Sequence, residues 1–174
     1  TIVIENRPGA SATLGTGRVA KAAPDGYTLL FTAQTPVTIA ANFQEKPAYD
    51  AAKELMAVSM AVISPTLIVV PSALPVRNLK EFSDYVRANP NKTNFGAAGL
   101  SNELRLIWEL LRAEMRLDTV TIPYQGAGPV VIDLAAGRVQ VSALSPSSVR
   151  PYIVDGRVRA LAIVDDKRHP EFPD

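Results

Sequence analysis

Apolar runs of strand length alternate with stretches of helical periodicity along most of this 174-residue chain. At the start of the chain, the pattern predicts a strand, a helix, a turn and a second strand at residues 2–5, 11–23, 24–26 and 27–32. The apolar residues in positions 33–55 follow neither the helical nor the strand spacing clearly. Two extended β-branched runs follow at residues 56–70, on either side of Ser64 and Pro65. We interpret these runs as a crossover between two lobes.

The second half of the chain is more regular and predicts an α/β fold. Asn78, followed three residues later by Glu81, resembles a capping box and predicts a helix that ends near Asn89. Ser145 before Pro146 predicts the start of another helix, which closes at residues 155–156. The remaining pattern predicts four strands and two helices. The strands are at residues 93–97, 120–123, 139–144 and 159–164, and the helices at residues 102–115 and from residue 126 to near residue 137.

The spacing of these elements predicts a shared ligand-binding edge. Strands connected through a helix of this length run parallel in one sheet, so their carboxyl ends lie at the same edge. Three predicted helix N-termini, at residues 99–102, 126–129 and 145–147, open toward that edge. The segment "NRPGAS" at residues 6–11 repeats the arrangement after the first predicted strand. Since helix N-termini present N–H donors, this pattern favours an anionic ligand.

The type of anion can be narrowed from the glycine spacing. The segment "GAAGLS" does not match the dinucleotide fingerprint, and "GASATLG" has neither the spacing nor the lysine of a phosphate-binding loop. A small carboxylate needs only a few N–H and O–H donors, so we expect a mono- or dicarboxylate rather than a phosphate or sugar. The alternative for the segment "GAAGLS" is that its glycines only permit close packing of the strand on the helix.

Composition excludes several classes of protein. Lys and Arg number 18 against 17 Asp and Glu, giving a net charge of +1, so the basic surface of a nucleic-acid-binding protein is missing. Cysteine is absent, which excludes disulfides and thiolate chemistry. No apolar run reaches the roughly 20 residues that a membrane-spanning helix requires. With 47% hydrophobic residues, the chain can bury a core in one domain or in two small lobes.

The residues also offer no visible catalytic machinery. The single histidine, His169, lies in a charged segment bounded by proline, which is typical of solvated surface. The serine-rich segment "SALSPSS" lacks a nucleophile elbow, and no pair of carboxylates is placed for acid–base chemistry. We expect Asp133 to lie on a solvated helix and Trp108 to pack in the core. The sequence therefore predicts a protein that is not an enzyme, with no cofactor and no metal.

Four segments carry a resemblance to a known family. The first, "VIENRPGASATLGTGRVAKAAPDGYTLLFTA", is similar to the segment V-x-x-N-R-P-G-A-G-G-x-x-G-x-x-x-V-A-x-A-x-P-D-G-Y-T-L of Bug-type (TctC-like) solute receptors of tripartite tricarboxylate transporters. The segments "NLKEFSDYVRANPNKTNFGAAG", "IPYQGAGPVVIDLAAGRVQV" and "GRVRALAIVDDKRHPEFPD" follow in the order of the family. The resemblance covers nearly the whole chain.

This resemblance implies a fold and a function. Such receptors have a type II periplasmic-binding-protein fold, in which two α/β lobes joined by crossing strands close on a small organic acid. They deliver it to membrane transporter subunits from the periplasm. The resemblance, together with the predicted helix N-termini, implies ligand-binding residues in both lobes. These are Pro8, Gly9, Ala10, Ser11, Thr32, Thr35, Ala98, Gly99, Ser101, Asn102, Tyr124, Gln125, Gly126 and Ser145.

Against the family pattern, the chain is expected to be truncated at both ends. Residues 1–62 correspond to a partial first lobe, residues 63–164 to the second lobe with the crossover strands, and residues 165–174 to the start of a segment returning to the first lobe. An incomplete first lobe exposes strand edges and apolar surface. We therefore expect weak ligand binding by the monomer and self-association through elements of the first lobe.

The chain departs from the family pattern at two places that bear on specificity. Where the family has G-S-A-G-x-G-S and then a histidine, this chain has Gly96-Ala97-Ala98-Gly99-Leu100-Ser101 and then Arg105. Where the family often has F-D-N, it has Ala143-Leu144-Ser145. A rival interpretation is the effector-sensing domain of a bacterial transcription regulator, which shares the two-lobed fold. An upstream DNA-binding segment would favour the regulator, and a signal peptide would favour the receptor.

Overall fold

The computed structural model describes residues 1–39, 46–99 and 102–170. The chain divides into two compact units, which are described separately. The first comprises Thr1–Ala61 with Ser101–Glu103, and the second comprises Val62–Leu100 with Leu104–Asp174. Within the described residues, no helix is long and apolar enough to cross a membrane.

The second unit is built on a five-stranded sheet with the order β3-β2-β4-β1-β5. The strands are β1 (Thr66–Pro71), β2 (Asn94–Ala97), β3 (Val120–Pro123), β4 (Val141–Leu144) and β5 (Val158–Val164). β2 pairs in parallel with β3 and with β4. β1 pairs antiparallel with both β4 and β5, so β5 runs in the direction of β4. The predicted common sheet of parallel strands is confirmed, with β1 inserted antiparallel among them.

Four helices of the second unit cover the two faces of this sheet. They are α3 (Leu79–Ala88), α4 (Glu103–Met115), α5 (Ala127–Ala135) and α6 (Pro146–Val154), of which α4 takes its first residue from the first unit. Ile68 and Val70 of β1 pack with residues of α3 and α4, whereas Leu67 and Val69 pack with residues of α5 and α6. Each fully buried side chain of this kind stabilises the fold by about 1.5–3 kcal/mol. The apolar run in β1 is therefore continuous because both of its faces are buried.

The ends of these helices follow the predicted local signals. The Asn78 side chain accepts a hydrogen bond from the backbone N–H of Glu81 at 2.8 Å, and the Glu81 carboxylate accepts one from the N–H of Arg77 at 2.8 Å. The Asn78 bond confirms the predicted start of α3, and the Glu81 carboxylate bonds to the N–H of the residue before the cap rather than to that of the cap itself. After the C-terminal end of α5, Gly137 has φ +73°. This conformation permits a turn in which the N–H of Arg138 donates to the carbonyl of Asp133 at 2.8 Å.

The first unit contains little regular structure among its described residues. It has a short left-handed turn at Ala10–Ala12, helix α1 (Thr13–Ala20), a π-helix at Thr35–Ile39 and one turn of helix α2 (Ala51–Glu54). The strands predicted at residues 2–5 and 27–32 are wrong, because neither segment pairs with any described residue. A strand is stable only when a neighbour satisfies its backbone. Of the predicted crossover, only the part from Thr66 onward is a strand.

Candidate ligand-binding site

Two helix N-termini lie at the carboxyl edge of the parallel strands in the second unit. α5 follows β3 and α6 follows β4, and these strands flank β2 in the sheet. Since β2, β3 and β4 run in the same direction, the first turns of α5 and α6 lie on either side of the carboxyl end of β2. The first residues after that strand are Ala98 and Gly99, both half-buried.

Neither of these helix N-termini is capped by its own side chain. The cap of α5 is Gly126, with φ +101°, and the cap of α6 is Ser145, and neither makes a side-chain capping bond. The Ser145 hydroxyl instead lies 3.1 and 3.0 Å from the hydroxyls of Ser147 and Ser148. By contrast, Asn78 caps α3, which follows the antiparallel strand β1. Apart from the Ser148 N–H, which donates to the Ser145 carbonyl at 3.1 Å, the N–H groups in the first turns of α5 and α6 thus keep capacity for an external acceptor.

Tyr124 and Gln125 connect β3 to the start of α5. The backbone N–H of Tyr124 donates to the carbonyl of Ala97 at 2.9 Å, which ties this turn to the end of β2. Its hydroxyl donates to the carboxylate of Asp133 on α5 at 2.8 Å. Gln125 is exposed beside it. The hydroxyl of Tyr124, a residue predicted to bind the ligand, is therefore engaged within the protein.

Asp133 lies on the partly exposed helix α5 and is held between two donors. Arg138 Nη1 donates to its second carboxylate oxygen at 2.7 Å, and the Asp133 side chain is 24% exposed. The hydrogen bonds from Tyr124 and then Arg138 hold the pKa of the Asp133 carboxyl below its usual value. Burial, followed by the bond to Asp133, raises the pKa of the Tyr124 phenol. At neutral pH the phenol therefore donates and the carboxylate accepts.

The turn that follows β2 is described only in part. Gly99 has φ +111°, a conformation that favours glycine. Ser101 lies outside the described residues, and Asn102 is half-buried and groups with the first unit. A Cβ on Gly96 would lie 3.0 Å from the Val130 side chain on α5, so this glycine permits the close approach of helix to sheet. Gly96 therefore has the alternative role raised in the sequence analysis, in which a glycine only permits close packing of the strand on the helix.

In the first unit, the predicted residues Gly9, Ala10 and Ser11 lie in a tight left-handed turn that follows the predicted residue Pro8. Gly9 has φ +122°, and Ala10, Ser11 and Ala12 follow with φ +47°, +53° and +68°. The N–H of Ala12 donates to the carbonyl of Gly9 at 2.9 Å, closing the turn. Residues other than glycine rarely adopt such angles, and each costs of order 1 kcal/mol. Sequence reasoning gave no indication of this strain.

The other predicted residues of the first unit are Thr32 and Thr35. Thr32 is half-buried in an irregular segment. Thr35 is buried at the start of the π-helix, and its hydroxyl donates to the carboxylate of Glu103, which groups with the same unit. An open depression of about 560 Å³ adjoins Pro8 and has charged residues in its walls that the sequence did not single out. They are Glu5, Arg7 and Arg18, with Glu5 paired to both arginines.

Replacing Ala12 by glycine is expected to stabilise the first unit by up to about 1 kcal/mol, because glycine adopts φ +68° without steric cost. The matched control is Gly26→Ala. Gly26 has φ +81° and no atom within 4 Å of an added Cβ, so alanine adds only backbone strain and should destabilise by about 1 kcal/mol. Urea unfolding of the three chains measures both changes. Equal stabilities would show that Ala12 carries no strain.

Metal binding finds no support in the described part of the chain, where no group of three or more His, Cys, Asp or Glu side chains is placed to hold an ion. The donors at the carboxyl edge of the sheet are backbone N–H groups and serine hydroxyls. Such neutral donors suit a carboxylate, which accepts hydrogen bonds at both oxygens.

Comparison with known proteins places the chain in a family. The family model described as the tripartite tricarboxylate transporter family receptor matches residues 1–174. Protein BugT of Bordetella pertussis is 32% identical over 173 residues, which are 99% of this chain and 53% of BugT. The chain spans about half the length of the curated relatives it matches.

Solved structures agree with this assignment. Rpa4515 of R. palustris, solved with adipate, has a TM-score of 0.88 at 28% identity, covering 98% of this chain and 57% of that one. MatC from Rhodopseudomonas palustris, with bound malate, has a TM-score of 0.82 at 30% identity, covering 95% of this chain and 56% of that one. The predicted fold class and the predicted resemblance are both confirmed. The chain belongs to the tripartite tricarboxylate transporter receptor family.

Proposed function

We propose that the protein is a solute-binding receptor that captures a small organic carboxylate and delivers it to membrane transporter subunits from the periplasm. The observation that carries this proposal is the pair of uncapped helix N-termini, α5 and α6, on either side of the carboxyl end of β2. Their N–H groups and the Ser145 hydroxyl make a neutral, donor-rich site. Such a site stabilises an anion by hydrogen bonds and by the helix dipoles.

A carboxylate fits this site better than a phosphate does. The described donors are backbone groups and hydroxyls, whereas a multiply charged phosphate is usually held with the help of arginine or lysine. The solved relatives contain adipate and malate, which are both dicarboxylates. We therefore propose a mono- or dicarboxylate as the ligand class.

We propose that the ligand-binding site is built from all the residues predicted from the sequence, grouped by the lobes predicted there. The first lobe offers the turn at Pro8, Gly9, Ala10 and Ser11, with Thr32 and Thr35. The second lobe offers Ala98, Gly99, Ser101, Asn102, Tyr124, Gln125, Gly126 and Ser145. We also propose the lobe boundaries inferred from the sequence, at residues 1–62, 63–164 and 165–174.

The rival interpretation, an effector-sensing domain of a transcription regulator, is not favoured. The matching family is that of transporter receptors over the whole chain. The family and fold are those of solute-binding receptors, and we propose that the protein catalyses no reaction.

The test is calorimetry with a panel of organic acids, inorganic phosphate and neutral sugars, on a chain of the full length of the relatives. We expect binding of one or more carboxylic acids and no binding of phosphate or sugars. Binding of phosphorylated or uncharged compounds alone would overturn the proposal.

A single substitution tests whether the α6 N-terminus takes part. Ser145 has φ −72° and ψ 149°, the backbone conformation of a good N-cap, so Ser145→Asp places a carboxylate on the N–H groups proposed for the ligand. We expect carboxylate affinity to fall at least about tenfold, with no loss of thermal stability. The matched control is Asn78→Asp, which makes a similar change at the capped start of α3 and should leave affinity unchanged. Equal affinities of the Ser145→Asp and parent chains would exclude this N-terminus from the site.

A further inference from the structure

Tyr124, Asp133 and Arg138 form a chain of hydrogen bonds along α5. The chain begins at the turn that carries the helix N-terminus and ends beyond the helix C-terminus. Arg138 is bonded to Asp133 twice, through its guanidinium at 2.7 Å and through its backbone N–H at 2.8 Å. The glycine turn at Gly137 brings the arginine back over the helix. The Asp133 carboxylate, which accepts the bond from Tyr124, is thus also held in place by Arg138.

Tyr124 is in turn fixed at three points. Its backbone N–H bonds to Ala97 at the end of β2, its hydroxyl bonds to Asp133 on α5, and its ring packs with the apolar cluster beneath α5 and α6. The ring also lies beside Gly96, where its Cε2 is 3.7 Å from the position of an added Cβ. The side chain therefore spans from the sheet to the second turn of the helix.

The fixed position of Tyr124 bears on the direction of the N–H groups at the start of α5. Gly126, the cap, lies only two residues after Tyr124 and makes no side-chain capping bond of its own. Pro129 contributes no N–H, so the first turn presents the N–H groups of Ala127 and Gly128. Because this turn is rich in glycine, its backbone has wide conformational freedom unless a neighbouring residue restrains it. The described contacts of Tyr124 supply such a restraint.

We propose that Tyr124 is a positioning residue: through its bond to the Arg138-neutralised Asp133, it orients the α5 N-terminus toward the carboxylate ligand without donating its hydroxyl to that ligand. This inference rests on the proposed function. It assigns a role to Asp133 and Arg138, neither of which was predicted as a site residue, and it changes the predicted role of Tyr124 from ligand contact to support.

The two possible roles of Tyr124 predict opposite effects of Asp133→Ala. If the hydroxyl contacts the ligand directly, removing Asp133 frees the hydroxyl and removes a negative charge, so an anion should bind more tightly. If Tyr124 acts by positioning, the substitution releases the turn and affinity should fall. Alanine is a strong helix former, so α5 is retained in this variant.

The experiment uses chains of the full length of the relatives, with adipate and malate as probes. We expect Tyr124→Phe and Asp133→Ala each to weaken binding about tenfold, and the double variant to be no weaker than either single one. Tyr152→Phe on α6, which keeps its ring over Arg157, is the control and should bind like the parent chain. Tighter binding by Asp133→Ala, or unchanged binding by Tyr124→Phe, would overturn the inference.

A second measurement does not depend on the ligand. Amide hydrogen exchange at residue 124 reports the bond to Ala97, and we expect Tyr124→Phe to speed it at least about fivefold relative to Ser142 of β4. If the parent chain binds none of the carboxylic acids, the proposed function fails while the exchange result still decides whether Tyr124 restrains the turn. Unchanged exchange at residue 124 would show that it does not.

Discussion

Trp108→Ala is expected to lower the free energy of unfolding of the second unit by about 3–5 kcal/mol. The Trp108 side chain is 0% exposed on α4. It stacks on Phe95 of β2 with ring centroids 4.7 Å apart and meets Phe82 of α3 edge-on at 6.3 Å. Its removal leaves a cavity at the point where two helices meet the sheet. Since domains are typically stable by only about 5–15 kcal/mol, this one change removes a large fraction of the total.

The control for this prediction lies on the same helix. Leu110 is 72% exposed, so Leu110→Ala should change stability by no more than about 0.5 kcal/mol. Trp108→Phe supplies a second comparison, because the Trp108 Nε1 has no hydrogen-bond partner among the described residues. Phenylalanine removes this unpaired donor and keeps an aromatic ring against Phe95, so it should cost less than alanine. Urea unfolding followed by circular dichroism measures all three. A loss of less than about 1 kcal/mol for Trp108→Ala would show that the core is not centred on this ring.

The second unit could be predicted closely because its local signals agree with its packing. Asn78 caps α3 at the start that its spacing from Glu81 predicts, and Pro146 begins α6 as expected. The predicted strand at residues 120–123 has the bounds observed for β3. Each of these signals acts within a few residues, so neighbouring sequence suffices to determine it.

The errors arise where structure depends on distant parts of the chain. The antiparallel insertion of β1 between β4 and β5 is set by pairing between residues that are far apart in the sequence, from Val69 with Ser142 to Thr66 with Val164, which no local pattern encodes. The bond between Tyr124 and Asp133 depends on how α5 packs on the sheet. The positive φ angles at Ala10–Ala12 contradict the intrinsic preference of alanine, so propensity could not predict them. The helix N-termini at the edge of the sheet were thus predictable, but the contacts that support them were not.

Three segments without regular structure expose apolar side chains: residues 2–5 and 27–32 of the first unit, and residues 56–63, which continue into the second unit. Tyr27, Leu29 and Phe31 are 92%, 74% and 84% exposed, and Ile2 and Met56 begin similar segments at 91% and 87%. None of residues 2–5, 27–32 or 56–63 lies in a strand within the described structure. Segments that lie outside any sheet and expose several apolar side chains readily pair with another chain. A second copy of this chain offers the same segments.

The 174-residue chain is therefore expected to self-associate through residues 27–31 and 56–63, and to bind carboxylates only weakly as a monomer. Sedimentation velocity over a range of concentrations should show species larger than the monomer. Leu29→Lys combined with Val58→Lys should shift the chain toward the monomer, because charge on an exposed strand edge opposes pairing. Leu110→Lys, at an exposed position of α4, is the control and should leave the association unchanged. Ligand titration beside a chain of the relatives' full length completes the test. A monodisperse monomer with the affinity of that longer chain would contradict both expectations, because the exposed apolar segments would then have no effect on association or on binding.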